Sequence, residues 1–232
     1  MLAAFGRPAF AGPPYLSDDP EPTDYKHWEI YTFNAGTSTP AGTDGETGID
    51  FNYGAAPDLQ LTATLPFGFT SEVGAPSQFG LSNIELAAKY RLLHQSQVGW
   101  DVAAFPRLFL PSPSNVSDKN ASVLLPIWLQ RNLGSDWTTF GGGGCQLYAD
   151  STQDVCMAGW VLTRKFTSNL QVGLEFFHQT SRAGTPPSTS VGLGAIYDLS
   201  DTFHLLGYVR TGLENRAQTE LFGWYGALLF TF

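Results

Sequence analysis

Hydrophobic and polar residues alternate along most of this chain with a period of two, which is the spacing of a β-strand with two different faces. In residues 59–65, for example, four apolar side chains alternate with Gln60, Thr62 and Thr64. The period of two recurs often enough to predict twelve strands, in residues 28–34, 49–53, 59–65, 84–91, 98–104, 122–130, 137–144, 158–166, 170–176, 191–197, 203–210 and 224–232.

The connections between these strands predict a single antiparallel up-and-down barrel. Short turns are expected at 54–58, 93–97, 132–136, 167–169 and 199–201. The alternate connections are mostly longer and rich in Gly, Pro, Ser and Asn, at 35–46, 67–82, 111–121, 147–155, 181–189 and 213–220. Short periplasmic turns and longer outer loops are typical of bacterial outer-membrane barrels. We therefore expect residues 25–232 to form an all-β transmembrane barrel.

Composition favours a membrane barrel over a soluble one, although alternation alone does not say which face meets lipid. Charged residues make up 14% of the chain, against roughly 25% in an ordinary soluble domain. Tryptophan and tyrosine fall near several predicted strand ends, as interfacial girdles require. The formal net charge of -9 argues against nucleic-acid binding. We expect the outer membrane of a Gram-negative bacterium, with its lipid as a partner.

If the apolar face meets lipid, the opposite face lines a lumen. The predicted lumen-lining residues are Asp50, Asn52, Gln60, Glu85, Lys89, Arg91, Asp101, Phe105, Arg107, Trp128, Gln171, Glu175, Phe177, Tyr208, Arg210 and Tyr225. Their charges are mixed and indicate neither an anion pore nor a cation pore. The aromatic members indicate either a path for a small aromatic solute or simple filling of a narrow interior. Lys89 is expected to form a cross-strand ion pair with Asp101.

The N-terminal region has two parts. Residues 9–11, Ala-Phe-Ala, have the form of a signal-peptidase site, so residues 1–11 are interpreted as a leader or signal remnant. Residues 12–24 are acidic and proline-rich, a composition that forms neither a helix nor a central strand. This segment is either a disordered periplasmic leader or a plug that folds back so that its carboxylates meet Lys89 or Arg91.

The C-terminus and the cysteines add two expectations. Trp224, Leu228, Phe230 and Phe232 share one face of the last strand, a pattern that resembles the assembly signal read by the barrel-assembly machinery. Cys145 and Cys156 flank a predicted outer loop, and an oxidising compartment favours a disulfide between them. No Cys/His cluster has zinc spacing, so neither a metal site nor a cofactor is expected.

Several segments are similar to an outer-membrane barrel family labelled "putative MetA-pathway of phenol degradation". They are residues 12–22, 27–29, 80–91, 137–144 and 158–164. The resemblance spans nearly the whole chain from Gly12. It implies an outer-membrane channel or transporter for small solutes, with hydrophobic or aromatic compounds as candidates, and it supplies no catalytic residue.

Three functions remain open at this point. The leading hypothesis is a channel with selectivity set by the lumen and the long loops. The second is a membrane-embedded enzyme acting on lipid, for which His178 beside Thr180 and Ser181 is the one candidate. The third is a structural or receptor barrel that binds an external partner through its loops. We predict no catalytic residue and expect a non-enzyme.

Overall fold

The alternating sequence folds into β-segments that close into one antiparallel barrel in the computed structural model, which describes residues 14–232. The predicted leader at residues 1–11 lies outside the described residues. The segments are β1 (Trp28–Thr39), β2 (Gly42–Ala56), β3 (Leu59–Glu72), β4 (Gln78–Leu81), β5 (Ile84–Leu93), β6 (Asp101–Ala104), β7 (Arg107–Leu110), β8 (Ser122–Asn132), β9 (Trp137–Tyr148), β10 (Val155–Lys165), β11 (Leu170–Gln179), β12 (Ser188–Asp198), β13 (Phe203–Gly212) and β14 (Phe222–Thr231). Closure occurs between β1 and β14, where Glu29 lies opposite Thr231.

The described residues build a wall of twelve strands, which confirms the predicted strand number. β4 and β5 both pair with β3, so they form one interrupted strand. β6 and β7 both pair with β5 and with β8, and they form a second. The second interruption falls at Phe105 and Pro106, where proline has no N–H to donate to the ladder. Fourteen segments therefore make twelve strands.

Several predicted boundaries are wrong. The predicted loop 35–46 is mostly strand, because β1 and β2 continue until only Pro40 and Ala41 separate them. The predicted loop 67–82 is likewise occupied largely by the ends of β3 and β4. The strand predicted at 98–104 begins only at Asp101, because α1 (Gln95–Val98) forms a helical turn ended by Gly99 in the left-handed region. Neither α1 nor the 3-10 turn Ser151–Gln153 is long enough to cross a membrane.

The two faces of the wall have opposite character. Apolar side chains such as Leu174, Phe176 and Leu193 point outward and are 53–56% exposed. Polar and ionisable side chains such as Lys89 and Glu175 point inward and are at most 1% exposed. A soluble barrel has the reverse arrangement, so this exterior is that of a barrel embedded in lipid. The end that carries the short turns, Trp28 and Thr231 is called the periplasmic end below, and the opposite end the outer end.

Two further features lie on this scaffold. Cys145 and Cys156 lie directly opposite each other on β9 and β10 and form the predicted disulfide. Leu228 of β14 and Phe232, which follows the end of that strand, are exposed on the outward face. Recognition of this strand by the assembly machinery stays a prediction.

Candidate channel interior

The sixteen predicted lumen residues are all buried or half-buried. Fifteen lie on the inward parity of the strands, and Phe105 lies in the interruption between β6 and β7. They form separate groups. Asp50, Asn52, Gln60, Glu85, Lys89, Phe105, Arg107 and Tyr225 line one cavity, and Arg107, Phe177 and Arg210 line another. Six others line neither cavity. Arg91 donates to Asp58, Asp101 accepts from the Gln95 N–H, and Gln171 donates to Thr163. Tyr208 donates to Glu175, and Trp128 is buried in the wall.

Residues 14–24, called the N-terminal segment below, lie inside the barrel. The chain enters at the periplasmic end, where Tyr25 makes a β-bridge with Gly54 and the Lys26 N–H donates to the Gly54 carbonyl at 2.7 Å. Further in, the Thr23 N–H donates to Gln60 Oε1 at 2.8 Å. Ser17 and Asp19 are almost completely buried by the surrounding wall.

Lys89 is the cation that meets the acidic part of this segment. Its Nζ lies 3.1 Å from Asp18 Oδ1 and 3.7 Å from Asp19 Oδ1, and 4.9 Å from the centroid of the Phe105 ring. The predicted ion pair with Asp101 is wrong. The helical turn α1 lengthens the connection, so the β5–β6 register ends with Leu93 opposite Val102 and leaves Asp101 well beyond Lys89.

Burial changes the acidity of two carboxyls in the segment. It raises the pKa of Asp19 well above its usual range, although the Lys89 ammonium opposes the shift. Burial also raises the pKa of Glu21, against a hydrogen bond that Gln130 donates to Glu21 Oε1. Both carboxyls therefore bind protons more tightly inside the barrel than in water.

Glu175 anchors the inner end of the segment. Its completely buried carboxylate accepts hydrogen bonds from the Leu16 N–H at 3.1 Å, the Ser17 N–H at 2.7 Å and the Tyr208 hydroxyl at 2.5 Å. Hydrogen bonds to an ionised acceptor are stronger than neutral ones. The anchor thus joins the segment to β11 and β13.

Glycines of the wall leave the space in which the segment lies, Gly159 and Gly194 among them. A Cβ atom at Gly159 would overlap Ser17 Oγ, and one at Gly194 would overlap the Tyr15 ring. Tyr15 also donates from its hydroxyl to the Gly194 carbonyl at 3.1 Å and lies edge-on to Tyr208. Any side chain at these two positions therefore competes with the segment for the same volume.

Two cavities lie in the interior formed by residues 14–232. The larger, of about 610 Å³, lies toward the outer end and is lined by Phe109, Phe177, Arg210 and the outer loops; it is called the outer vestibule. The smaller, of about 160 Å³, lies beside the N-terminal segment and is called the inner cavity. Leu16 and Arg107 line both cavities. The segment thus stands at the boundary between them.

Two arginines that line the interior, Arg107 and Arg210, are paired with carboxylates. Arg107 makes two hydrogen bonds to Glu85, at 2.6 and 2.7 Å. Arg210 donates to Glu220 at 2.6 Å and to Thr37 at 2.9 Å. Each of these two arginines is therefore neutralised by a carboxylate.

Sequence reasoning missed some of the residues that build this interior. Glu220 lies in an outer loop with no alternation, and Tyr15 and Ser17 lie in the segment whose position was left open. Tyr31 lies on the inward face of β1 and was not predicted to line the lumen. Its position two residues after Glu29 in an alternating run places both side chains on the same face and could have predicted this.

The arrangement around His178 does not build a hydrolytic site. His178 Nδ1 lies 2.9 Å from Thr189 Oγ1 and 4.0 Å from Glu214 Oε2, and the Thr189 hydroxyl donates to Glu214. In a catalytic triad the nucleophile and the acid contact opposite ring nitrogens, whereas here both lie on the same one. The Thr180 hydroxyl accepts from the Cys156 N–H and is not directed at His178.

The chain shares its fold with known outer-membrane channels. A family profile described as "Putative MetA-pathway of phenol degradation" matches residues 29–230. Among solved structures, it is similar to the COG4313 outer membrane channel from Pseudomonas putida F1, at 14% identity over 100% of both chains with a TM-score of 0.72. It is also similar to the KdgM porin, at 9% identity over 88% of this chain and 99% of that one with a TM-score of 0.62. A comparison with curated proteins found no match.

Proposed function

This chain belongs to the family described as "Putative MetA-pathway of phenol degradation", and we propose that it is an outer-membrane channel for small solutes, closed by its own N-terminal segment. One observation carries the proposal. The outer vestibule is a cavity of about 610 Å³ at the outer end, and its inner boundary includes Leu16 of the segment. The fold shared with the COG4313 outer membrane channel supports the channel role.

The segment is suited to act as a removable plug because polar contacts hold it. Lys89, Gln60, Gln130 and Glu175 bind it through ion pairs and hydrogen bonds, and on release water solvates the freed groups and offsets part of each lost contact. The barrel closes without it, since the β1–β14 ladder begins at Glu29. Release of the segment therefore leaves the wall intact and joins the two cavities to the periplasmic end.

Small aromatic solutes are the class that this interior suits best. Phe109 and Phe177 line the vestibule, and Phe105 and Tyr225 line the inner cavity. Aromatic rings favour edge-to-face and stacked contacts with other rings, and a cavity of about 150 Å³ suffices for benzene. The paired arginines offer hydrogen bonds without a large net charge, and the family's description refers to phenol degradation.

Planar-bilayer recording tests the channel and the plug together. The deletion of residues 12–24 is expected to raise open probability and open-level conductance severalfold over wild type. Gly159→Val is expected to act in the same direction, because its side chain takes the space of Ser17. Gly207→Ala is the matched control, since nothing lies within 4 Å of a Cβ there.

The outcomes separate the two parts of the proposal. Discrete current steps that do not change on deletion would reject the plug and keep the channel. Folded wild type and folded deletion variant that both stay silent would reject the channel and favour a structural or receptor barrel.

The solute class has its own test in the same recordings. Benzamide is expected to interrupt the current of the deletion variant more than cyclohexanecarboxamide at equal concentration, because only benzamide has an aromatic ring. Phe177→Leu should reduce this difference. Phe176→Leu, the outward-facing neighbour, should not. Equal interruption by both amides in every variant would reject the aromatic preference.

A further inference from the structure

Two arginines break the apolar character of the barrel exterior. Among the outward-facing positions of β1–β14, only Arg131 and Arg164 carry an Asp, Glu, Lys or Arg side chain. Arg131 follows the exposed Leu125 and Ile127 along the outward face of β8, and Arg164 follows Leu162 in the same way on β10. Each arginine lies one residue from the periplasmic end of its strand.

The two arginines flank the same strand. In the register, Arg131 lies opposite Thr139 and Arg164 opposite Trp137, so β9 runs between them. Two strand spacings separate β8 from β10 by about 10 Å. Two extended arginine side chains can reach one head group across that distance.

Aromatic rings surround both guanidinium groups. Arg131 lies 5.7 Å from the centroid of Trp100, and Arg164 lies 5.3 Å from Trp137 and 5.2 Å from Phe166. Trp100 is in turn edge-on to Trp160, whose indole N–H donates to Thr139 at 2.7 Å. Trp100, Arg131, Trp137, Trp160, Arg164 and Phe166 therefore form one continuous surface, called the arginine–tryptophan patch below.

Neither arginine has a carboxylate partner. In the part of the chain that the structure describes, no ion pair within 4.0 Å includes Arg131 or Arg164. By contrast, Arg91, Arg107 and Arg210 each bond a carboxylate. The positive charge of the patch is thus left for a group outside the protein.

We propose that the arginine–tryptophan patch binds the phosphate of an anionic glycerophospholipid from the inner leaflet of the outer membrane. Arg131 and Arg164 hold the phosphodiester by charge-assisted hydrogen bonds. The indoles of Trp100, Trp137 and Trp160 contact the glycerol and the first part of the acyl chains, where amphipathic rings are favoured.

Position and charge select this occupant. At the end of a strand, an outward arginine costs only about 0–1 kcal/mol, and its side chain reaches the head-group layer. The outer ends of the strands carry no outward-facing charged residue within the described barrel. That asymmetry favours a lipid of the inner leaflet over the phosphates of the outer leaflet. Juxtaposed cations attract acidic head groups more than zwitterionic ones.

Native mass spectrometry of the full-length protein tests the site with two probes, phosphatidylglycerol and phosphatidylethanolamine of identical acyl chains. The wild type is expected to retain phosphatidylglycerol preferentially. Loss of one arginine should weaken this retention about fivefold, and Arg131→Gln with Arg164→Gln about 25-fold. Retention of phosphatidylethanolamine should hardly change.

Two comparisons keep the test specific. Lys26→Gln with Lys119→Gln removes two exposed cations outside the patch and should retain phosphatidylglycerol like the wild type. Arg164→Lys keeps the positive charge, so it should retain more phosphatidylglycerol than Arg164→Gln. This comparison of single variants still tests the site if the double variant does not fold. Equal retention of both lipids by the wild type, or an equal loss in the lysine control, would overturn the proposal.

Discussion

Glu175→Gln is the substitution that probes the closed state most selectively. The carboxylate bonds the Leu16 and Ser17 N–H groups through different oxygens, and one of these oxygens also accepts from Tyr208. Glutamine has the same size but presents an NH₂ group in place of one oxygen. At least one N–H of the N-terminal segment, or the Tyr208 hydroxyl, then loses its acceptor.

The size of the effect follows from the bonds lost. A hydrogen bond to a charged group contributes about 1.5–3 kcal/mol, so the loss of one shifts the equilibrium between inserted and released segment about 10- to 150-fold toward release. Single-channel recording should show this shift as longer open dwell times.

Two variants calibrate the measurement. Tyr208→Phe removes one hydroxyl and leaves both N–H bonds of the segment, so we expect a smaller rise in open probability. Glu220→Gln removes a carboxylate that pairs with Arg210 and makes no hydrogen bond or ion pair to the segment, so it should leave the dwell times near those of wild type. An open probability that stays constant or falls in Glu175→Gln would refute the anchoring role.

Three further predictions follow from the structure. Burial raises the pKa of Asp19 and of Glu21, so the inserted segment binds more protons than the released one, and insertion is favoured at low pH and lost as pH rises. Open probability should therefore increase from mildly acidic to neutral pH. Asp19→Asn should flatten this response; Lys89, Asp18 and Arg91 are the other charges nearby. Replacement of Cys145 and Cys156 by serine should lower the free energy of unfolding in urea by about 2–3 kcal/mol, and a reductant should do the same to the wild type but not to the variant. Deletion of Phe232 should reduce the amount of heat-modifiable barrel in outer-membrane fractions. Phe166 is another exposed aromatic residue at the periplasmic end, and Phe166→Ala should not reduce that amount. Equal reduction in both variants would argue against a C-terminal assembly signal.

Local patterning accounts for most of what the sequence predicted about the fold. Alternation is a short-range signal, so twelve strands could be read from segments such as 59–65 and 203–210. Composition then favoured the apolar parity as the outward one. The outer parts of β1 and β2 escaped because residues 36–47 are rich in glycine and threonine. Without alternating apolar residues, these parts carry no local strand signal.

The interior was harder to predict because its contacts are long-range. Parity alone proposed a set of inward residues. It could not show that Lys89 faces Asp18 rather than Asp101, since that choice depends on a helical turn and on a segment 71 residues away. The bonds between Glu175 and the segment span more than 150 residues, and no local pattern encodes them.

Spin labels placed at successive positions 203–209 of β13 in lipid bilayers show which side chains face lipid and which face the lumen. Collisions with oxygen report lipid, and collisions with a water-soluble nickel complex report water. Side chains here alternate between exposed and buried from Phe203 to Val209. We expect maxima of oxygen collision at 203, 205, 207 and 209, with 204, 206 and 208 protected from oxygen. Maxima at 204, 206 and 208, or no period of two, would contradict this expectation.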